Sequence, residues 1–103
     1  MLFGPKKLPR IPSDLVSYIQ IETEAIKDYN DKQMISSYCL GKLKTVEWYI
    51  DLLKNGSEKY IVPHRREELE YIRDQLRACH REIRAVKIKK TNSSPYPTVV
   101  CFT

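Results

Sequence analysis

Glycine is scarce in this chain, three in 103 residues, which argues against an all-β fold, because tight turns between many strands draw on residues that tolerate positive φ. Cysteine is equally sparse, and Cys39, Cys79 and Cys101 form no CxxC pair, so neither a disulfide framework nor a redox motif is expected. Histidine occurs only as His64 and His80. Two His and three scattered Cys do not supply the about four ligands at short paired spacings that zinc requires. No metal site is therefore expected, and with no Walker loop, GxGxxG or HExxH in the sequence there is no cofactor motif either. Long apolar runs are also missing: no stretch approaches the ~20 residues of a transmembrane helix. The N-terminal MLFGPKKLPRIP has no continuous apolar signal region, so an intracellular setting, cytoplasmic or nuclear, is expected without a membrane span.

The sequence holds no recognisable catalytic device. The close Cys and His are Cys79 and His80, and neighbours one apart on a helix point away from each other rather than forming a nucleophile–base pair. Paired carboxylates such as Glu67 and Glu68 or Glu70 and Asp74 stand where they favour a helix N-terminus and pair with nearby arginines. A non-enzymatic protein with no catalytic residues is expected.

What the chain has instead is helical periodicity. At 42% hydrophobic and 30% charged residues it reads as an all-α protein: a small three-helix bundle with a long basic C-terminal helix. Ser13 is a plausible N-cap for a first helix over 13–29, with Leu15, Tyr18, Ile19, Ala25, Ile26 and Tyr29 on one face. Asn30 to Gln33 has capping-box spacing, which predicts a second helix over 31–54. Its stripe is Ile35, Cys39, Leu43, Val46, Ile50 and Leu53, and Tyr38, Tyr49 and Leu52 widen it, as in a central helix that touches two neighbours. Gly41 would sit best at a close helix crossing, and Asn55-Gly56 supplies a stop. Residues 57–62 read as a short lid, with the tail 98–102 as the possible strand partner. The third helix is expected over 64–90, about 40 Å long. Residues 1–12, with three Pro among Lys6, Lys7 and Arg10, form an extended basic arm; 13–90 form the helical domain and 91–103 a C-terminal tail.

The third helix carries two stripes. Leu69, Ile72, Leu76, Cys79, Ile83 and Val86 alternate steps of three and four, a heptad seam for a partner helix or a second copy. One residue further on at most steps stand Arg73, Arg77, His80, Arg84 and Lys87, turned by roughly 100° so that they flank the seam and remain in water. The net charge of +5 is concentrated here: residues 77–90 hold six Lys/Arg against one Asp/Glu. Part of that excess is ordinary helix chemistry, since cations near a helix C-terminus offset the macrodipole.

Arg66, Arg73, Arg77, His80, Arg84 and Lys87, followed by Lys89 and Lys90, form a row suited to a polyanion. With no helix-turn-helix, RRM or zinc-finger pattern, recognition of nucleic acid would be sequence-independent, through backbone and shape, possible targets including duplex RNA. In layout only, a small basic three-helix chain with long seams resembles the nodaviral double-stranded-RNA-binding silencing suppressors; no residue motif carries the likeness. The alternative is an adaptor whose heptad seams bind another protein, the basic row attracting an acidic protein surface. In either case the third helix pairs with its copy in a homodimer or closes the bundle through Leu69, Ile72, Leu76 and Ile83, the homodimer being favoured because 27 residues outrun the 17 of the first.

Overall fold

The chain folds in the order β1 (Lys6–Lys7), α1 (Leu15–Glu24), α2 (Tyr29–Asn55), β2 (Tyr60–Ile61) and α3 (Arg66–Ala85). The computed structural model describes residues 4–88. The protein is mostly helical, as the three apolar stripes predict. Each helix packs on the other two, and the antiparallel α2–α3 pair shares the most extensive contact. Cys39, Leu43, Val46, Tyr49 and Ile50 of α2 face Leu69, Leu76, Cys79 and Ile83 of α3, with Leu15 and Ile19 of α1 completing the core. Among the described residues no helix is long and apolar enough to cross a membrane.

The helix bounds differ from expectation at both ends of α1 and of α3 and at the start of α2. α1 ends at Glu24, not residue 29, and the next helix starts at Tyr29, earlier than expected. Asp28, rather than Asn30, is its N-cap: the Asp28 carboxylate accepts from the Asp31 N–H at 2.8 Å, and the Asp31 carboxylate accepts from the Lys27 N–H at 3.1 Å. These two acids satisfy N–H groups reciprocally, in the manner of a capping box built from Asp. At α1 the N-cap is Asp14, one residue beyond Ser13. α3 stops at Ala85, and Val86 turns extended, where its carbonyl accepts from Lys32 Nζ at 2.7 Å. A cation on that carbonyl compensates the end of the helix, so Val86 and Lys87 lie off the helix, and Lys89, Lys90 and the tail 91–103 lie outside the described residues. The stop after α2 is where the sequence places it, with Gly56 in the left-handed conformation at φ 63°. Gly41, by contrast, is exposed and open rather than at a helix crossing, and Leu53 is exposed at the edge of the stripe.

The N-terminal arm is docked. β1 pairs in parallel with β2, Lys6 opposite Tyr60 and Lys7 opposite Ile61, so the lid over α2 takes the arm as its partner. The expected partner, 98–102, lies outside the described residues. Leu8 and Ile11 enter the core. Proline spacing explains how: Pro9 removes one backbone donor between them, and its carbonyl is taken by the Tyr49 hydroxyl at 2.8 Å. Tyr60 is held from the other side by the edge of Trp48, ring centroids 5.2 Å apart.

Candidate functional site

Arg66, Arg73, Arg77, His80 and Arg84 of the expected basic row share one face of α3, on the side toward α2, but the structure divides the row. In its first half each arginine has a carboxylate partner: Arg66 Nε lies 3.1 Å from Glu70 Oε2, Arg73 Nε 3.3 Å from Asp74 Oδ1, and Arg77 Nη2 3.1 Å from Glu47 Oε2 on α2. Exposed pairs of this kind stabilise by only about 0.2–1 kcal/mol each. Their consequence is local neutralisation. Glu47 and Asp51 line the same shallow groove as Arg73 and Arg77, so this stretch offers little net charge to a polyanion.

The second half is different. Arg84 of the row, and Arg81, which stands beside the row and was not among its expected members, are exposed and have no carboxylate partner among the described residues, and exposed Lys87 follows just past the helix end. The start of α2 adds to them. Lys32, seated on the Val86 carbonyl, brings its ammonium to the same end of the molecule, and Ser36, one turn further along α2, places its Oγ 3.2 Å from His80 Nε2. Between the two helices lies a cleft of about 520 Å³ lined by Tyr29, Lys32, Gln33, Ser36, His80 and Arg84, with the buried Ile83 beneath. Nearly every polar group on its wall can donate a hydrogen bond: a guanidinium, an ammonium, a hydroxyl, an amide and a phenol. Such a wall suits a phosphate or another oxyanion.

Tyr29, Lys32, Gln33, Ser36 and Arg81 were not expected at a site. Lys32 and Ser36 are an i, i+4 pair on one face of α2, which is visible in the sequence once the helix is started at Tyr29. Ser36 and His80 are also the pairing a nucleophile and its base would make, but among the described residues no carboxylate orients the far side of the His80 ring, as that chemistry needs. Cys39 and Cys79 are made unreactive by burial: desolvation, with Cys79 nearby, pushes the Cys39 thiol up to about 11, and Cys79 is raised by burial and by Glu82. No three or more of the described His, Cys, Asp or Glu side chains gather as a metal site would require.

The seam expected to meet a partner is filled from within the chain. Leu69, Leu76, Cys79 and Ile83 are buried, with Ile72 half-buried against the core and Val86 partly covered. None of the four buried residues is open to a second copy or a partner helix. His64 stands just before α3 and does not face solvent. It is buried, and its Nε2 accepts the Ile11 N–H at 2.8 Å, fastening the arm to the start of α3. No protein-family model, curated protein or solved structure matches the chain.

Proposed function

We propose that this protein is a non-enzymatic, intracellular nucleic-acid-binding chain that grips phosphates without reading base sequence, through the cationic end of α3 and the adjoining first turns of α2. The observation that carries this reading is the division of the basic row: cations are spent on the protein's own carboxylates along one half, and left without them around a donor-lined cleft at the other. Arg81, Arg84, Lys87 and Lys32 are the residues assigned to phosphate contact, with His80 and Ser36 between them. Arg66, Arg73 and Arg77 of the expected row are assigned to the fold's own ion pairs. Heptad seams were the basis of the adaptor reading, and they lie in the core, so a homodimer of this chain would have to use another surface.

Mobility shift against single-stranded RNA, duplex RNA and duplex DNA over a salt series tests the proposal. Wild-type protein is expected to bind at ~50 mM salt, where phosphate contacts are strong, and to weaken steeply as salt rises. Arg81→Glu with Arg84→Glu should lower affinity more than tenfold, whereas Arg66→Gln with Arg73→Gln should change it less than about threefold. Competition by polyglutamate but by no polynucleotide would instead identify an acidic protein surface as the target. No binding to any nucleic acid at ~50 mM salt would reduce the cationic end to a solvated helix terminus.

A further inference from the structure

We infer that the nucleic acid this cleft takes is single-stranded, with one unpaired base stacked on Tyr29 while the adjoining phosphate lies against Arg84 and His80. The inference rests on the nucleic-acid reading and adds to it the strandedness of the target. Tyr29 is the first residue of α2 and is 65% exposed, so it contributes little to the core. Its position is nonetheless fixed, because Gln33, one turn on, donates from its amide to the Tyr29 hydroxyl at 2.6 Å. An exposed ring held by its hydroxyl keeps its faces available, which is what a stacking platform requires.

The ring also belongs to the cationic cleft rather than to a separate patch. Tyr29 and Gln33 share one wall with Lys32 and Ser36, while His80 and Arg84 stand opposite, one helical turn or about 6 Å apart along α3. A cleft of about 520 Å³ is within the range that encloses a small ligand, and it is concave. Bases in a duplex are already stacked on each other and cannot enter such a space, whereas a single strand can splay one base into it. The extent of available charge agrees. From His80 to Arg84 is four residues, about 6 Å on a helical rise, with exposed Lys87 just past the helix end; this is too short to track a duplex turn but matched to a few phosphates of one strand. Tyr71 provides an internal contrast: it is equally exposed, at 66%, but lines none of the described clefts.

Fluorescence anisotropy with a labelled single-stranded oligouridine, its DNA counterpart and a blunt RNA duplex of the same length tests the inference. Wild-type protein should bind the single strands at least about tenfold more tightly than the duplex. Tyr29→Ala should weaken single-strand binding about tenfold, Tyr29→Phe should retain most of it, and Tyr71→Ala should leave it unchanged, all with an unaltered helical signal. Equal or tighter binding of the duplex, or single-strand binding that Tyr29→Ala does not affect, would overturn the single-strand inference and leave the nucleic-acid reading standing. Failure to bind any of the three at ~50 mM salt would overturn both.

Discussion

Replacing His64 by Ala should destabilise the fold by about 2–3 kcal/mol without freeing the arm. The Ile11 N–H donates to His64 Nε2 at 2.8 Å, so that nitrogen carries the lone pair and the ring proton sits on Nδ1, 3.2 Å from Glu68 Oε1 in a bent ion–dipole contact. Deleting the ring leaves the protein two choices. It can keep the arm in place and leave the buried Ile11 N–H without an acceptor, which costs about 1–3 kcal/mol. It can instead lift the arm into water, which surrenders the burial of Leu8 and Ile11 at about 1.5–3 kcal/mol for each side chain. The first is cheaper. The arm is also tied elsewhere: Arg10 Nη1 donates to the Pro63 carbonyl at 2.6 Å, and the Lys6 and Leu8 N–H groups donate to Lys59 and Ile61 at 2.9 and 3.0 Å. With a modest term for the space the ring vacates, the loss reaches the stated range, a large share of a small domain's total stability. Urea denaturation measures it, and hydrogen exchange at the Ile11 amide locates it. His64→Gln, whose side-chain carbonyl can accept, should recover part of the loss. A His64→Ala variant within about 0.5 kcal/mol of wild type, or one in which the Leu8 and Ile61 amides exchange as freely as in an unfolded chain, would refute the reasoning.

Glu68 gives the fold a pH dependence of known sign. Its polar contact with His64 outweighs partial burial, and the Arg65 backbone and Arg10 add to it, so its carboxyl titrates below the ordinary value of 4.5. The corresponding stability is present above 4.5 and is lost as pH falls through the lower folded value; the urea midpoint of Glu68→Gln should therefore fall less between pH 6 and pH 3 than that of wild type. Val46→Asp should abolish cooperative unfolding at room temperature, because Val46 is wholly buried between α2 and α3 and a carboxylate there has no partner; circular dichroism during a melt reads it, and a native-like melt would place α2 differently. In a Cys101→Ser background, Cys39 and Cys79 should react with a thiol reagent only when denaturant is present, since both are buried and their thiolates are disfavoured at neutral pH.

The helical stripes were legible because each repeats a single physical constraint. Cys39, Leu43, Val46 and Ile50 on α2, and Leu69, Leu76, Cys79 and Ile83 on α3, are buried where the 3.6-residue period puts them. The docking of the arm was not legible. Leu8 and Ile11 stand among prolines with no period to reveal them, and their partners His64 and Ile61 lie more than fifty residues away in sequence. The early start of α2 left a sequence trace, Asp28 three residues before Asp31, but these acids lack the Ser/Thr and Glu/Gln that mark the usual capping box. At the site, the cationic row could be read as a row. Which of its members are free depended on Glu47 and Lys32, placed beside it only by the antiparallel pairing of α2 with α3.

The salt dependence of single-strand affinity, measured for wild type and for two single variants, tests the assignment of phosphate contacts most directly. About four contacts from Lys32, Arg81, Arg84 and Lys87 predict that log affinity falls with log salt at a slope of about −3. Arg84→Gln should flatten that slope by about 0.7, whereas Arg66→Gln, which removes a cation already paired with Glu70, should leave it unchanged. A slope near zero for wild type, or equal flattening by the two variants, would contradict phosphate binding at the cationic end of α3.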